Sequence, residues 1–180
     1  PGEQRVQILA ALTRLRLAAC HPSFGDDVLD EARVRPATKH KALVSILEEV
    51  AASGHRALVF SQFVTHLRLA ERFAKDVGLR TQHLTGETPA RDRQALVDVF
   101  QAGDVDAFFI SLKAGGFGLN LTRATTVVHL DPWWNPATED QASDRAHRIG
   151  QTLPVTVVRL VMDGTIEAPI LELHEKKRAL

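Results

Sequence analysis

The chain has 180 residues, with 22 Lys+Arg balancing 22 Asp+Glu, 44% hydrophobic residues, one Cys, two Trp and no Tyr. That length suits one α/β domain and is too short for two full-sized ones, and 24% charged residues beside so large an apolar share exclude a disordered or fibrous chain. No apolar run approaches the roughly 18 residues of a membrane span, Pro1-Gly2-Glu3-Gln4-Arg5 lacks the order of a secretion signal, and Cys20 alone cannot close an internal disulfide, so the expectation is a cytoplasmic chain with no membrane partner. Zero formal net charge argues against a basic coat for nucleic acid but is silent on a local patch.

Residues 6–19 interleave Ile8, Leu9, Leu12, Leu15, Leu17 and Ala19 with Arg5, Gln7, Arg14 and Arg16, which predicts an amphipathic helix stopped by Pro22. The stretch Ser23 to Pro36, with Gly25, Asp26 and Asp27, reads as a linker holding at most a short helical turn. An alternation follows: helix 39–53, strand 57–60, helix 62–76, a short strand ending near Leu84, and helix 89–101 with Thr88 as cap and Pro89 in the first turn. Strand 107–111, a Gly-rich loop 114–118, strand 126–130, helix 138–147, strand 155–161 and a last helix from about Ile166 to Leu180 complete it. The strands are continuous apolar runs, the pattern of burial on both faces, so strands alternating with helices predict a mostly parallel sheet wound on both sides. In such sheets ligands sit at the carboxyl ends of strands, which directs attention to Ser61, Thr85, Ser111–Gly118 and Asp131–Asn135.

Some chemistry is excluded. No Lys follows any Gly, so a P-loop is absent, and Gly115, Gly116 and Gly118 do not fit a dinucleotide fingerprint. Val127-Val128-His129-Leu130-Asp131 has the form of a Mg²⁺-holding strand, but without a phosphate loop Asp131 reads as a loop-shaping residue. No two of the eight His stand at i, i+4 and Cys20 has no Cys partner, so no metal site is expected. No Gly-x-Ser-x-Gly elbow is present.

Three constellations remain. In Gln141-Ala142-Ser143-Asp144-Arg145-Ala146-His147-Arg148-Ile149-Gly150-Gln151, a capping box Thr138/Gln141 predicts a helix with Gln141, Asp144, Arg145 and Arg148 on one face. Its arginines either pair with Asp144 on a solvated face or form arginine fingers for a terminal phosphate, where planar bidentate donors suit the anion. Ser111-Leu112-Lys113-Ala114-Gly115-Gly116-Phe117-Gly118 offers a hydroxyl, a cation and exposed amides for phosphate oxygens, or else a turn needed only for close packing. Asp131-Pro132-Trp133-Trp134-Asn135-Pro136 holds both Trp, either as a packing plug or as a surface against nucleic acid.

Together these blocks resemble the second RecA-like lobe of the Swi/Snf family of ATP-dependent DNA translocases, within superfamily-two helicases. Leu12-Thr13-Arg14-Leu15-Arg16 through Cys20-His21-Pro22 looks like the family's Leu-Arg…Cys-x-His-Pro helix that precedes the lobe, Thr38-Lys39 like its Ser-x-Lys entry, and Phe60-Ser61-Gln62-Phe63 like motif IV. Leu84-Thr85-Gly86 to Phe100 resembles the following block, Ser111–Leu121 motif V, Trp134-Asn135-Pro136 its Trp-Asn-Pro, Gln141–Gln151 motif VI and Gly164–Glu167 the start of the closing helix. The resemblance implies a RecA-like three-layer sandwich. It divides the chain into a preceding helix at 1–22, a linker at 23–37 and the lobe at 38–180.

By the same resemblance Arg145 and Arg148 are the arginine fingers with Gln141 fixing them, and Gly116, Gly118, Asn120 and Asp144 line the nucleotide cleft. Ser61, Gln62, Thr85, Gly86, Ser111, Lys113, Ala114, Gly115, Trp134 and Asn135 are expected to grip double-stranded DNA. ATP with Mg²⁺ would be held mainly by the N-terminal RecA-like lobe of the same protein, without which these residues hydrolyse nothing. The alternative is a nucleic-acid-binding scaffold lobe without a catalytic role. The engine would work in a bacterial nucleoid or a eukaryotic nucleus. Two departures stand out: Trp133, where the family is often polar, suggests core packing, and Pro169 is expected to restart or kink the closing helix.

Overall fold

A computed structural model describes residues 2–25, 34–114 and 118–178. Five strands form one sheet: β1 Ala57–Ser61, β2 Thr81–Leu84, β3 Ala107–Ser111, β4 Thr126–His129 and β5 Thr156–Arg159, in the order β2-β3-β1-β4-β5. Every pairing is parallel, with Val59 of β1 in register with Phe109 on one side and Val128 on the other. The three central strands are buried at every position, as their unbroken apolar runs require, whereas the edge strands β2 and β5 are half-open; β2 ends at Leu84 as expected and β5 is shorter than the predicted 155–161.

Side chains of each central strand alternate between two cores. Leu58, Phe60, Phe108, Ile110 and Val127 meet Val97 and Phe100 of α4 (Ala90–Ala102) and Ala142 of α5 (Pro136–Ser143). Val59, Phe109 and Val128 meet Leu43 and Leu47 of α2 (Thr38–Ala52) and Leu67, Ala70 and Ala74 of α3 (Val64–Asp76). The result is a three-layer α/β sandwich with helices on both faces. Trp133 packs against the first core, as its apolar reading anticipated.

Several boundaries differ from the sequence reading, each for a local reason. The first helix, α1, runs Gly2–Cys20, but Ile8, Leu9 and Leu15 are exposed and its buried residues are Arg16, Ala19 and Cys20, so it is not amphipathic as expected. Its apolar residues spread around the axis, and only its last turns reach the sheet domain. A 3₁₀ turn occupies Pro22–Gly25; the acidic part of the predicted linker, 26–33, lies outside the described residues. Thr88 does not cap α4: its hydroxyl accepts from the Thr85 amide at 3.0 Å and closes the turn after β2. At the other end of α4, Gly103 takes φ 85° as the left-handed cap, and a side chain there would press on the Arg123 guanidinium.

Helix α5 begins under Asn135, whose side chain accepts from the Ala137 amide, with Pro136 in the first turn; it therefore starts earlier than the Thr138 box implied and stops at Ser143. Pro169 causes no kink, because α6 starts at Glu167 and Pro169 falls in a first turn whose N–H groups need no helical acceptor.

The starts of α2 and α6 are joined by a buried ion pair, Lys39 Nζ to both Glu167 oxygens at 2.7 Å, with Glu167 also accepting from the Met162 amide. Burial pushes the Glu167 carboxyl above its ordinary value, against the pull of Lys39. Lys39→Ala strands that carboxyl and is expected to cost about 3–5 kcal/mol in denaturant unfolding, much of it recovered in Lys39→Met/Glu167→Gln. A loss of under about 1 kcal/mol in the single variant would show the pair to be energetically idle.

Candidate nucleotide and nucleic-acid site

The predicted DNA residues sit where the strands end, and the geometry divides them into groups that face outward and groups that build the scaffold. Ser61 closes β1 and is fully buried; its hydroxyl donates to Asp131 Oδ2 at 2.5 Å. The Gln62 amide donates to Asp131 Oδ1 and its side chain to the Pro132 carbonyl, both at 3.2 Å. Thr85 is buried, with its hydroxyl accepting from the Glu87 amide, and Gly86 beside it is exposed with open space around it. Ser111, paired with Ser61 across the sheet, is buried and its hydroxyl has no partner. Lys113 is exposed, Ala114 buried, and Gly115 and Gly116 lie outside the described residues. Asn135 is exposed but its side chain caps α5.

Asp131 is the hub of this end. His66 Nδ1 also approaches Oδ2, at 3.3 Å. Burial opposes ionisation of Asp131, but the bonds from His66, Ser61 and the Gln62 amide outweigh it and hold its carboxyl below the ordinary range. Burial likewise holds His66 below its ordinary value, leaving a neutral imidazole beside a carboxylate. Asp131 is thus the loop-shaping residue. Cys20, His66 and Asp131 bring one ligand-type atom each within 4.8 Å of one another, a grouping no sequence spacing announced. Burial pushes the Cys20 thiol up, against forming a thiolate, and both Asp131 oxygens already take protein donors, so the donor set is committed to holding the loop.

The tryptophan loop is suspended by its carbonyls. Pro132 O receives Arg16 Nη2 at 2.9 Å, Trp133 O the ring of His174, and Trp134 O Lys177 Nζ at 3.1 Å, while the Trp133 amide donates to buried Glu139 at 2.8 Å. The Arg16 guanidinium lies over Phe63, Trp133 and Trp134, 5.0 Å from the Trp134 ring. Trp134 remains 38% exposed, so this brace presents one indole outward. Arg16 was visible only as part of the entry-helix block, with no role attached, and Glu139 and His174 were not foreseen.

The arginine pair has a different setting from the one predicted. Because α5 ends at Ser143, Asp144, Arg145 and Arg148 lie on consecutive turns and share no helical face; Gln141 is exposed on α5. The turns pack on the β3–β4 connection, where the Leu121 amide donates to the Arg145 carbonyl and Arg148 Nη1 to the Gly118 carbonyl, both at 2.9 Å. Gly118, Asn120 and Asp144 are exposed around them. Arg145 is 91% buried, the complement of its 9% exposure, and its Nε has no hydrogen-bond partner. Burial and then repulsion from Arg148 pull its pKa down, with Asp144 opposing. A buried guanidinium set against a second cation is an arrangement that an anion relieves.

This sheet with its braced strand ends defines a RecA-like lobe. The helicase conserved C-terminal domain matches residues 38–150, and the chain belongs to that family, in its Swi/Snf branch. It is 36% identical over 99% of its length to the putative ATP-dependent helicase/translocase YwqA of Bacillus subtilis, covering 20% of that protein. It is 37% identical over 98% of its length to the SWI/SNF-related regulator of chromatin subfamily A member 1 of Mus musculus, covering 18% of it. It thus spans about a fifth of these relatives. The crystal structure of the C-terminal part of the Fun30 ATPase domain superposes with a TM-score of 0.74 at 32% identity, over 87% of this chain and 52% of that one. Among the described residues no helix is long and apolar enough to cross a membrane.

Proposed function

We propose that the chain is the second motor lobe of a DNA-stimulated ATPase that translocates on double-stranded DNA and remodels protein–DNA complexes. The observation that carries this reading is Arg145, buried beside Arg148 with an unpartnered Nε. Such a group suits the charge that builds on a transferred phosphoryl, where planar guanidinium donors are most effective. ATP and Mg²⁺ would be bound chiefly by an N-terminal RecA-like lobe of the same protein. The relatives' titles, an ATP-dependent helicase/translocase and a regulator of chromatin, support the same reading. A protein of this kind works on DNA in the nucleoid or the nucleus.

On the DNA side, Lys113, Gly86 and Trp134 are the groups that face outward, and Ser61, Gln62 and Asn135 act by holding the backbone that presents them. Backbone phosphate contacts position such an engine without reading sequence. Lys113→Ala in the full-length protein is expected to raise the DNA concentration for half-maximal ATPase stimulation and to make the slope of log affinity against log salt shallower by about 1. An unchanged slope would remove Lys113 from the grip.

A further inference from the structure

We infer that Gln151 is a positioning residue for the Arg145–Arg148 pair, an inference that rests on the arginine-finger reading above. Beyond Ser143 the chain continues only as turns, in which the amides of 144–147 donate to the carbonyls of Asp140, Ala142 and Ser143, and Gly150 turns it back at φ 103°. Those turns are fixed against the sheet by their attachment to the 118–124 segment, and Gln151 supplies much of it. Its Nε2 donates to the carbonyls of Thr122 and Ala124, each at 2.8 Å, and reaches the Ala146 carbonyl at 3.2 Å. Its Oε1 accepts from the Leu153 amide at 3.0 Å, and its own backbone N–H closes on the Arg148 carbonyl at 2.9 Å.

One planar amide therefore joins the residue after Arg145 to two carbonyls across the gap, while its backbone holds Arg148. The anchor is itself fixed. Gln101, at the end of α4, donates to Thr122 Oγ1 at 3.2 Å and accepts from the Arg123 amide at 3.0 Å. None of Gln151's partners belongs to the group assigned to DNA. The two N–H groups of the amide serve the two carbonyls at 2.8 Å, with the longer Ala146 contact shared, whereas a carboxylate of the same shape brings no donor.

The test uses the full-length protein, with DNA-stimulated kcat, KM for ATP and Kd for duplex DNA measured for Gln151→Ala, Gln151→Glu, Arg145→Lys, Arg148→Lys and Arg145→Lys/Gln151→Ala. Misplacing a reacting group by about an ångström costs up to roughly 100-fold, so both Gln151 variants are expected to lose about 10- to 100-fold in kcat with KM and Kd within about twofold. In the Arg145→Lys background, Gln151→Ala should cost less than about twofold more, because the two residues act on the same step. Wild-type kcat in Gln151→Ala, an equal loss in both backgrounds, or rescue by Gln151→Glu would overturn the inference. So would a kcat loss that vanishes once rates are normalised to folded protein by near-UV circular dichroism. If Arg145→Lys and Arg148→Lys keep wild-type kcat, the finger reading has failed; if they lose it and Gln151→Ala does not, only the positioning role has.

Discussion

Arg145→Ala and Arg148→Ala in the full-length protein should each reduce DNA-stimulated ATP hydrolysis by about 10³-fold or more while nucleotide affinity changes by less than about tenfold. The split follows from where the groups stand. This chain has no P-loop, and on the proposed reading ATP is bound chiefly by an N-terminal lobe, so binding should survive their removal. What is lost is stabilisation of charge that appears only in the transition state, which lowers kcat rather than ground-state binding. Arg145 should be the more sensitive, because its burial fixes the guanidinium and its Nε is uncommitted, whereas Arg148 is exposed and spends one N–H on the Gly118 carbonyl. Loss of ATP binding with normal turnover per bound ATP would contradict the assignment, and wild-type turnover would favour a scaffold lobe.

The second large effect is on stability. His40 is fully buried, neither ring nitrogen has a partner, and it lies edge-on to His21, His66 and Phe73. Burial, then the neighbouring His66, His21, Lys39 and Arg72, hold its pKa down at about 2. His129 is held at about 4, chiefly by burial, with Glu139 opposing. Both imidazoles are neutral in the folded chain and protonate near 6.5 when it unfolds, so the unfolded state binds the extra protons as pH falls. Their contribution is whole above 6.5 and erodes below it, for His129 down to about 4 and for His40 down to about 2. Each costs about 1.4 kcal/mol per pH unit, or together about 4 kcal/mol between pH 7 and pH 5, a large part of a typical domain's stability. Denaturant unfolding at pH 7, 6 and 5 should show this decline, to which His66 adds in the same direction, and His40→Phe should reduce it by about 2 kcal/mol. An identical slope in the variant would mean that His40 is accessible to protons in the folded chain.

Glu71 adds to the acid sensitivity lower down. Burial raises its pKa, but hydrogen bonds from His83, Lys75 and Thr81 prevail and leave it at about 2, so its contribution is lost between about 4.5 and 2. The windows of the three groups overlap and together span from 6.5 down to about 2, so acid unfolding should be broad.

The sheet was legible because its cause is local. Ala57–Phe60, Ala107–Ser111 and Thr126–His129 are apolar runs that only a doubly covered strand can use, and the glycines after the helices mark their ends. The strand-end residues were legible for the same reason, since a parallel sheet makes its carboxyl ends the place for ligands. The course of the arginine segment was not. Its spacing suits a helix, but Asn135 and Pro136 start α5 early, and beyond Ser143 the backbone is drawn to Leu121 and Gly118, partners more than 20 residues away in sequence.

Equally illegible were the contacts that the fold alone brings together. Lys39 meets Glu167 at a separation of 128 residues, Ser61 meets Asp131 at 70, and Arg16 reaches the tryptophan loop at 116. Local periodicity carries no trace of these pairs. The balanced charge is unevenly placed: Arg16, Lys39 and Arg145 are inside the molecule, whereas Lys113 is among the basic residues that face outward.

On the proposed reading this lobe completes an ATPase whose other half lies elsewhere in the protein. The most direct test is to measure ATP hydrolysis, with and without duplex DNA, for the full-length protein beside the isolated 180 residues. DNA-stimulated turnover is expected of the full-length protein and none of the isolated chain. Turnover by the isolated chain, or a full-length protein indifferent to DNA, would contradict it.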